Sequence, residues 1–423
     1  MTSLERRLGT TDAVVFGLGA MLGAGVFVAI GPAAEVAGSL LLVGLAVAAV
    51  VATCNALSSA QLAAVHPASG GAYVYGRRQL GPYWGHLAGF GFVVGKTSSC
   101  AAMALTVGAY AAPSLARPLA VLAVIALTAV NLRGITKTAR LTRLLVAVVL
   151  VVLALVVVAA LTGGTARADG LGQAPGVGAY EVLQSAGLLF FAFAGYARIT
   201  TLGEEVRDPA RTIPRAVPIA LGIVLVTYCL VAVTALAAVG PVALAGAEAP
   251  LATVVDAGSL SALTPVVRIG GAVAALGVLL SLLVGISRTA LAMAREGELP
   301  RALAAVDPVH RVPRTAEVTV AAAVVVLVLV VDLRGAIGFS SFAVLVYYAV
   351  SNASALTLRP DQRRYPRAVP VVGLLGCLLL AATLPVSSVL AGLAVLGTGS
   401  LAFTVRARSA GPRGRQGPRR TRR

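Results

Sequence analysis

The sequence predicts an all-α polytopic membrane protein of about 12 transmembrane helices, arranged as a five-plus-five inverted repeat with helices 1 and 6 broken at mid-membrane. Three observations predict it: the composition, the recurrence of long uncharged runs, and two glycine-dense interruptions set five spans apart. Of 423 residues, 58% are hydrophobic and 12% charged, with a mean hydropathy of +0.92. Soluble domains carry about 45–50% apolar and about 25% charged residues, and no water-soluble fold covers so much apolar surface. Runs of about 18–25 residues with almost no charge recur, each long enough at about 1.5 Å per residue to cross a hydrocarbon core of about 30 Å. Only helices and closed barrels satisfy the backbone there. Barrel strands would alternate in polarity over roughly ten residues, whereas these runs are uniformly rich in Leu, Val, Ala and Gly.

Residues 1–12 form an N-terminal tail. Spans are expected at 13–31, 38–60, 84–112, 116–132 and 144–162, a first repeat over 13–162. A second repeat over 180–357 holds spans at 180–202, 217–239, 266–294, 316–332 and 336–357. A closing pair over 368–405 divides at Leu384-Pro385-Val386-Ser387-Ser388, and 406–423 is a basic tail. The first apolar run is a full span without a small-residue cleavage site, so retention of the N-terminus is expected. Of the 34 Lys and Arg, Arg117, Arg167, Arg268 and Arg334 fall opposite the termini and Lys96 and Arg198 within spans. All the others lie on the side of the termini, which the positive-inside rule makes cytoplasmic, in a cell membrane.

That asymmetry accounts for a net charge of +18 without a nucleic-acid partner. The tail residues Arg413, Arg415, Arg419, Arg420, Arg422 and Arg423, with Gly and Pro between them, read as a disordered polybasic segment able to meet anionic lipid. Cys54, Cys100, Cys229 and Cys377 all lie within spans, so neither disulfides nor a metal cluster is expected.

Helix 1 carries Gly19-Ala20-Met21-Leu22-Gly23-Ala24-Gly25-Val26-Phe27, and helix 6 carries Phe190-Phe191-Ala192-Phe193-Ala194-Gly195-Tyr196. Glycines at that density let the backbone leave helical geometry. At mid-membrane such backbone is tolerated only where it lines a cavity or is packed in protein. Gly23 and Gly195 each sit in the first helix of a set of five, and the two helices run in opposite directions, the pattern of an inverted repeat with its binding site at the midplane. Close helix packing through small residues is the plainer reading of one G-x-x-x-G alone.

The helix 1 stretch resembles the signature of the amino acid–polyamine–organocation (APC) superfamily of amino acid permeases. Three further stretches agree in order and spacing. Pro67-Ala68-Ser69-Gly70-Gly71-Ala72-Tyr73-Val74-Tyr75 resembles P-x-S-G-G-x-Y-x-Y, and Gly203-Glu204-Glu205 followed by Pro209, Arg211, Ile213, Pro214 and Arg215 resembles G-E-E-x-x-x-P-x-R-x-I-P-R. Ser287-Arg288 with Ala292-Met293-Ala294-Arg295-Glu296-Gly297-Glu298-Leu299-Pro300 resembles S-R…A-M-A-R-D-G-x-L-P. The resemblance covers about residues 10 to 300 and implies a leucine-transporter-like fold and amino acid transport.

A broken helix presents free N–H groups at the start of its second half, and with the dipole there these favour a carboxylate. Gly23, Ala24 and Gly25 are assigned that role. Carry-over from the resemblance assigns the carbonyls of Met21, Phe191 and Ala194 to an ammonium group, with Ala24, Ala192 and Gly195 completing the pocket. Phe191 matches the family's aromatic position that closes over bound substrate from the outer side, a thin gate beside a glycine hinge; a packing aromatic is its plainer role.

Lys96 lies about twelve residues into helix 3 among apolar neighbours, where an ammonium is costly unless paired or neutralised. Burial lowers a lysine's hold on its proton, which makes Lys96 the coupling candidate; a lysine bound to helix-end carbonyls is the plainer role. Several relatives in the superfamily carry a lysine on helix 5 in place of a sodium ion, and this chain has none between Arg143 and Thr162. Ser281 is a hydroxyl that a sodium site would use. Arg198 is expected to pair with Glu204 or Glu205, and Ser340, Ser341, Tyr347, Tyr348 and Asn352 on helix 10 are candidates for the pathway.

The expected function is secondary active transport by alternating access, with proton-driven uptake of amino acids, no cofactor, and the lipid bilayer as surroundings. An amino acid or amine exchanger and a polyamine transporter are the alternatives, with a nutrient sensor or channel more remote. Catalysis is not expected, because His66, His86 and His310 lie in loops or at span ends and no Ser/His/Asp or Cys/His set shares a membrane depth.

Overall fold

Each half of the chain opens with a helix that stops and restarts. A computed structural model describes residues 8–68, 70–134, 139–172, 176–200 and 205–409. Ser69, Gly203, Glu204, the N-tail before Leu8 and the basic tail after Ser409 lie outside the described residues, as does the side chain of Ala24.

Predicted helix 1 is α1 (Thr10–Met21), α2 (Ala24–Val28) and α3 (Ile30–Ala37). Asp12 fixes its start by accepting from the Gly9 N–H at 3.2 Å. It runs past the expected end at 31 because Pro32 falls in the first turn of α3, where a missing N–H costs nothing. Gly38, at φ 55, turns the chain into α4 (Leu41–Val65). The loop expected next contains a short helix, α5 (Ala72–Gln79), after Gly70 and Gly71, both at positive φ. Three further spans follow as α6 (Pro82–Ala111), α7 (Ala116–Leu132) and α8 (Ala139–Thr162).

The second half begins with α9 (Ala179–Phe193) and α10 (Ala197–Thr200), joined by a 3-10 turn over Ala194–Tyr196. Next, α11 (Pro209–Ala245) overruns its expected end at 239, because Gly240 at φ 73 only kinks the helix and Pro241 begins a last turn. A short α12 (Pro250–Asp256) precedes α13 (Thr264–Arg295), α14 (Arg314–Val330) and α15 (Leu333–Leu356). Asp332 caps α15 by accepting from the Gly335 N–H at 2.8 Å. The chain closes with α16 (Ala368–Thr383) and α17 (Val386–Ser409).

Among the described residues, ten helical stretches are long and apolar enough to cross a membrane. The other two expected spans are α14 and α16, helices of 17 and 16 residues, at and just under the lower end of the roughly 17–25 residues that cross a bilayer. The protein is therefore an all-α polytopic membrane protein. Burial separates inner from outer helices: 78% of the most apolar window of α6 is buried, against 22% for α17. The broken helices lie among the inner ones, with α3, α4 and α15 packed against α9, α11 and α8 against α1, and α6 packed between α13 and α15.

On the face that carries the N-terminus, Leu8 pairs with the segment after α10: its N–H donates to Glu205 O at 3.1 Å and its carbonyl accepts from Arg207 N at 2.9 Å. Asp12 ion-pairs with Arg143 of α8. Glu298, buried after α13, accepts from Arg77 at 2.5 Å, from Tyr73 at 3.2 Å and pairs with His86 at 3.3 Å. Burial, then the charge of Glu298, push the Tyr73 phenol up to about 12, so it remains a donor. Two of the four resemblance motifs thus meet at one carboxylate. On the opposite face Glu35 of α3 ion-pairs with Arg334 of α15, and Tyr110 donates to Phe27 O at 2.8 Å.

Candidate substrate site at the helix breaks

α1 ends at Met21 because Leu22 leaves helical geometry (ψ 18) and Gly23 is extended (φ -76, ψ -152); α2 restarts at Ala24. The first N–H groups of α2 have no intrahelical acceptor. The break in α9 is gentler, tightening to 3-10 over Ala194, Gly195 and Tyr196.

Space, rather than backbone freedom, is what requires glycine here, since neither Gly23, Gly25 nor Gly195 has positive φ. A Cβ on Gly25 would stand 2.7 Å from Ala192 Cα, and one on Gly195 2.3 Å from Ala20 O. One on Gly23 would stand 2.0 Å from Val278 Cγ2 on α13. The two breaks therefore touch backbone to backbone, with Met21, Phe191, Ala192 and Ala194 all buried.

Breaking a helix frees carbonyls, and protein donors meet them. Tyr228, in mid-α11, donates to Met21 O and to Ala192 O, the latter at 3.0 Å, tying one break to the other. Phe191 O accepts the Ala194 N–H. Ala194 O accepts from Lys96 Nζ at 3.3 Å and from Tyr348 Oη at 3.2 Å. A carbonyl oxygen has two lone pairs, so Met21 O and Phe191 O each keep one beside these partners, while Ala194 O is filled. Of the three oxygens assigned to an ammonium, two have room.

Lys96 is 7% exposed and reaches the break from α6. Tyr348 stacks on Tyr196 with ring centroids 4.8 Å apart. Phe190 packs edge-on to Tyr348 and Phe193 edge-on to Tyr228. Phe191 has no such ring partner among the described residues. Behind Tyr348, Asn352 donates to Asn55 Oδ1 at 2.6 Å, Asn55 donates to Cys377 Sγ at 3.2 Å, and Ser59 bonds Ser351 at 3.0 Å.

The other candidates are dispersed. Ser340 bonds Ser99 at 2.6 Å, knitting α15 to α6, and Tyr347 accepts the Ala72 N–H at 3.0 Å. Ser341 is buried. Ser281 is exposed and bonds Gly277 O at 3.2 Å. Between α1, α8 and α13 lies a cavity of about 10 Å³ lined by Gly19, Leu22, Gly23, Val146, Val149 and Ala274, among others. None of its lining side chains carries oxygen or nitrogen, and the volume is at the lower limit for one water, roughly 10–15 Å³. Arg198 interacts electrostatically with Glu205. Sequence reasoning missed Tyr228; the available signal was a lone phenol within an apolar span, which needs a partner for its hydroxyl.

The model for the family "Amino acid permease" matches residues 8–405. The chain is 62% identical over 403 residues to an uncharacterized transporter of Mycobacterium tuberculosis, covering 95% of this chain and 92% of that protein. It is 26% identical to the branched-chain amino acid permease of Bacillus subtilis, covering 89% and 88%. It is 29% identical to the human cationic amino acid transporter 4, covering 87% and 62%.

Proposed function

Because the chain belongs to the amino acid permease family, we propose that it is a proton-coupled amino acid transporter working by alternating access around the two helix breaks. It does so in the cell membrane with both termini in the cytoplasm. The observation that carries this reading is the junction itself: two half-helices meet backbone to backbone, offering N–H groups from one break and carbonyl lone pairs from both. The substrate carboxylate takes the N–H groups of Gly23, Ala24 and Gly25. Its ammonium takes the remaining lone pairs of Met21 O and Phe191 O. Phe191, without an aromatic partner among the described residues, swings over the bound molecule.

Among the described residues Lys96 is the basic side chain bonded to the break, and we assign it the coupling proton. Relatives named for branched-chain and for cationic amino acids resemble the chain about equally, so the choice among amino acids is left to the residues of the site.

Uptake into proteoliposomes under an imposed pH gradient, acid outside, tests the reading. Stimulation by the gradient in the wild type and its loss in Lys96→Ala are expected. Uptake driven by sodium instead, or equal stimulation in Lys96→Ala, contradicts it.

A further inference from the structure

Ala194 O lies just past the C-terminal end of α9, the negative pole of that half-helix and an attractive place for a cation. The oxygen already has two donors, Lys96 Nζ at 3.3 Å and Tyr348 Oη at 3.2 Å, and accepts no third. Lys96 is buried, and among the described residues no carboxylate forms an ion pair with it. The polar groups around it are uncharged in character: Tyr348 from α15, Tyr196 from the 3-10 turn, and Cys100 one turn along α6. In its charged form the lysine thus places one positive charge against the break, balanced by the helix pole and not by an acid.

Ligand charge then matters. A zwitterion with an uncharged side chain brings its own carboxylate to offset its ammonium and is neutral as a whole. A substrate with a second cationic group needs an anion or an open acceptor at the break. The acceptor at the pole of α9 is filled, and the buried group that fills it repels the newcomer with less screening than at the surface.

We propose that Lys96 is a tethered cation that occupies the cationic subsite of this transporter and thereby restricts it to amino acids with uncharged side chains. This rests on the amino acid site described above and names its substrate class. Similarity to a cationic amino acid transporter does not argue otherwise, since the branched-chain relative is as close.

The test is counterflow in proteoliposomes at fixed pH, with unlabelled leucine, alanine, lysine or ornithine as competitors of a transported labelled amino acid. Wild type, Lys96→Gln and Lys96→Arg are compared, each first shown monodisperse by size-exclusion chromatography. The wild type is expected to prefer leucine or alanine over lysine and ornithine by at least tenfold. Lys96→Gln should shift that ratio toward the cationic pair by tenfold or more, and Lys96→Arg, which keeps the charge, should not. Lys96→Met repeats the test if the glutamine variant does not fold, and the wild-type preference stands as an arm that needs no variant. A wild type that takes lysine as readily as leucine overturns the proposal, as does an unchanged ratio in a folded neutral variant. Failure of every amino acid to support counterflow in the wild type is a different result: it removes the amino acid site itself.

Discussion

Lys96 and Tyr348 converge on one oxygen, the carbonyl of Ala194, from α6 and α15. The end of α9 is therefore held from two sides. Removing one donor leaves the other in place, so Tyr348→Phe should cost only about 0.5–1.5 kcal/mol, the ring still stacked on Tyr196. Thermal melting in detergent measures this. A loss well above that range would mean that the hydroxyl also holds the Asn55–Asn352 pair behind it.

Tyr228→Phe should be worse. Its hydroxyl alone serves Met21 O and Ala192 O in the hydrogen bonds described. Each buried carbonyl left without a donor costs about 1–3 kcal/mol. The expected outcome is a destabilisation of about 2 kcal/mol or more, with transport lost beyond the loss of folded protein because the two breaks are no longer tied. Wild-type turnover in a folded Tyr228→Phe protein would remove this bridge from the account.

Glycine substitutions separate two kinds of crowding. Gly23→Ala meets the side chain of Val278, so Val278→Ala should rescue it. Gly25→Ala meets the backbone of Ala192, which no truncation relieves, so it should cost about 1–3 kcal/mol and resist rescue. A double-mutant comparison of melting temperature and uptake distinguishes them.

Glu298 joins Arg77, Tyr73 and His86 on the N-terminal face. Because the carboxylate is buried and Arg77 half-exposed, Glu298→Ala is expected to destabilise by about 2 kcal/mol, and Glu298→Gln, which keeps one acceptor, by less. Denaturation of the purified variants measures both.

The all-α polytopic fold and the position of both breaks were legible because charge-free length and glycine density are properties of the chain itself. The ends were less so. Helix 7 was expected to stop before Gly240-Pro241, yet a glycine at φ 73 bends α11 without ending it. The short helices α5 and α12 carry too few apolar residues in a row to stand out from loop. Gly23, Gly25 and Gly195 do lie at the two breaks, but backbone freedom is not the reason. They are needed where two backbones or a valine crowd in, a tertiary fact no periodicity encodes. Nor does a sequence reveal which way Lys96 or Tyr228 faces. That depends on the rotation of α6 and α11 against the breaks, which packing decides.

On the proposed reading, the junction of α1, α2 and α9 holds an amino acid. The most direct measurement is counterflow in proteoliposomes preloaded in turn with each of the common amino acids, for the wild type and for Gly25→Leu, in which a side chain fills the contact with Ala192. Accumulation of label with one group of preloads, lost in a folded Gly25→Leu protein, is the predicted result. Equal accumulation in Gly25→Leu, or none with any preload in the wild type, would contradict it.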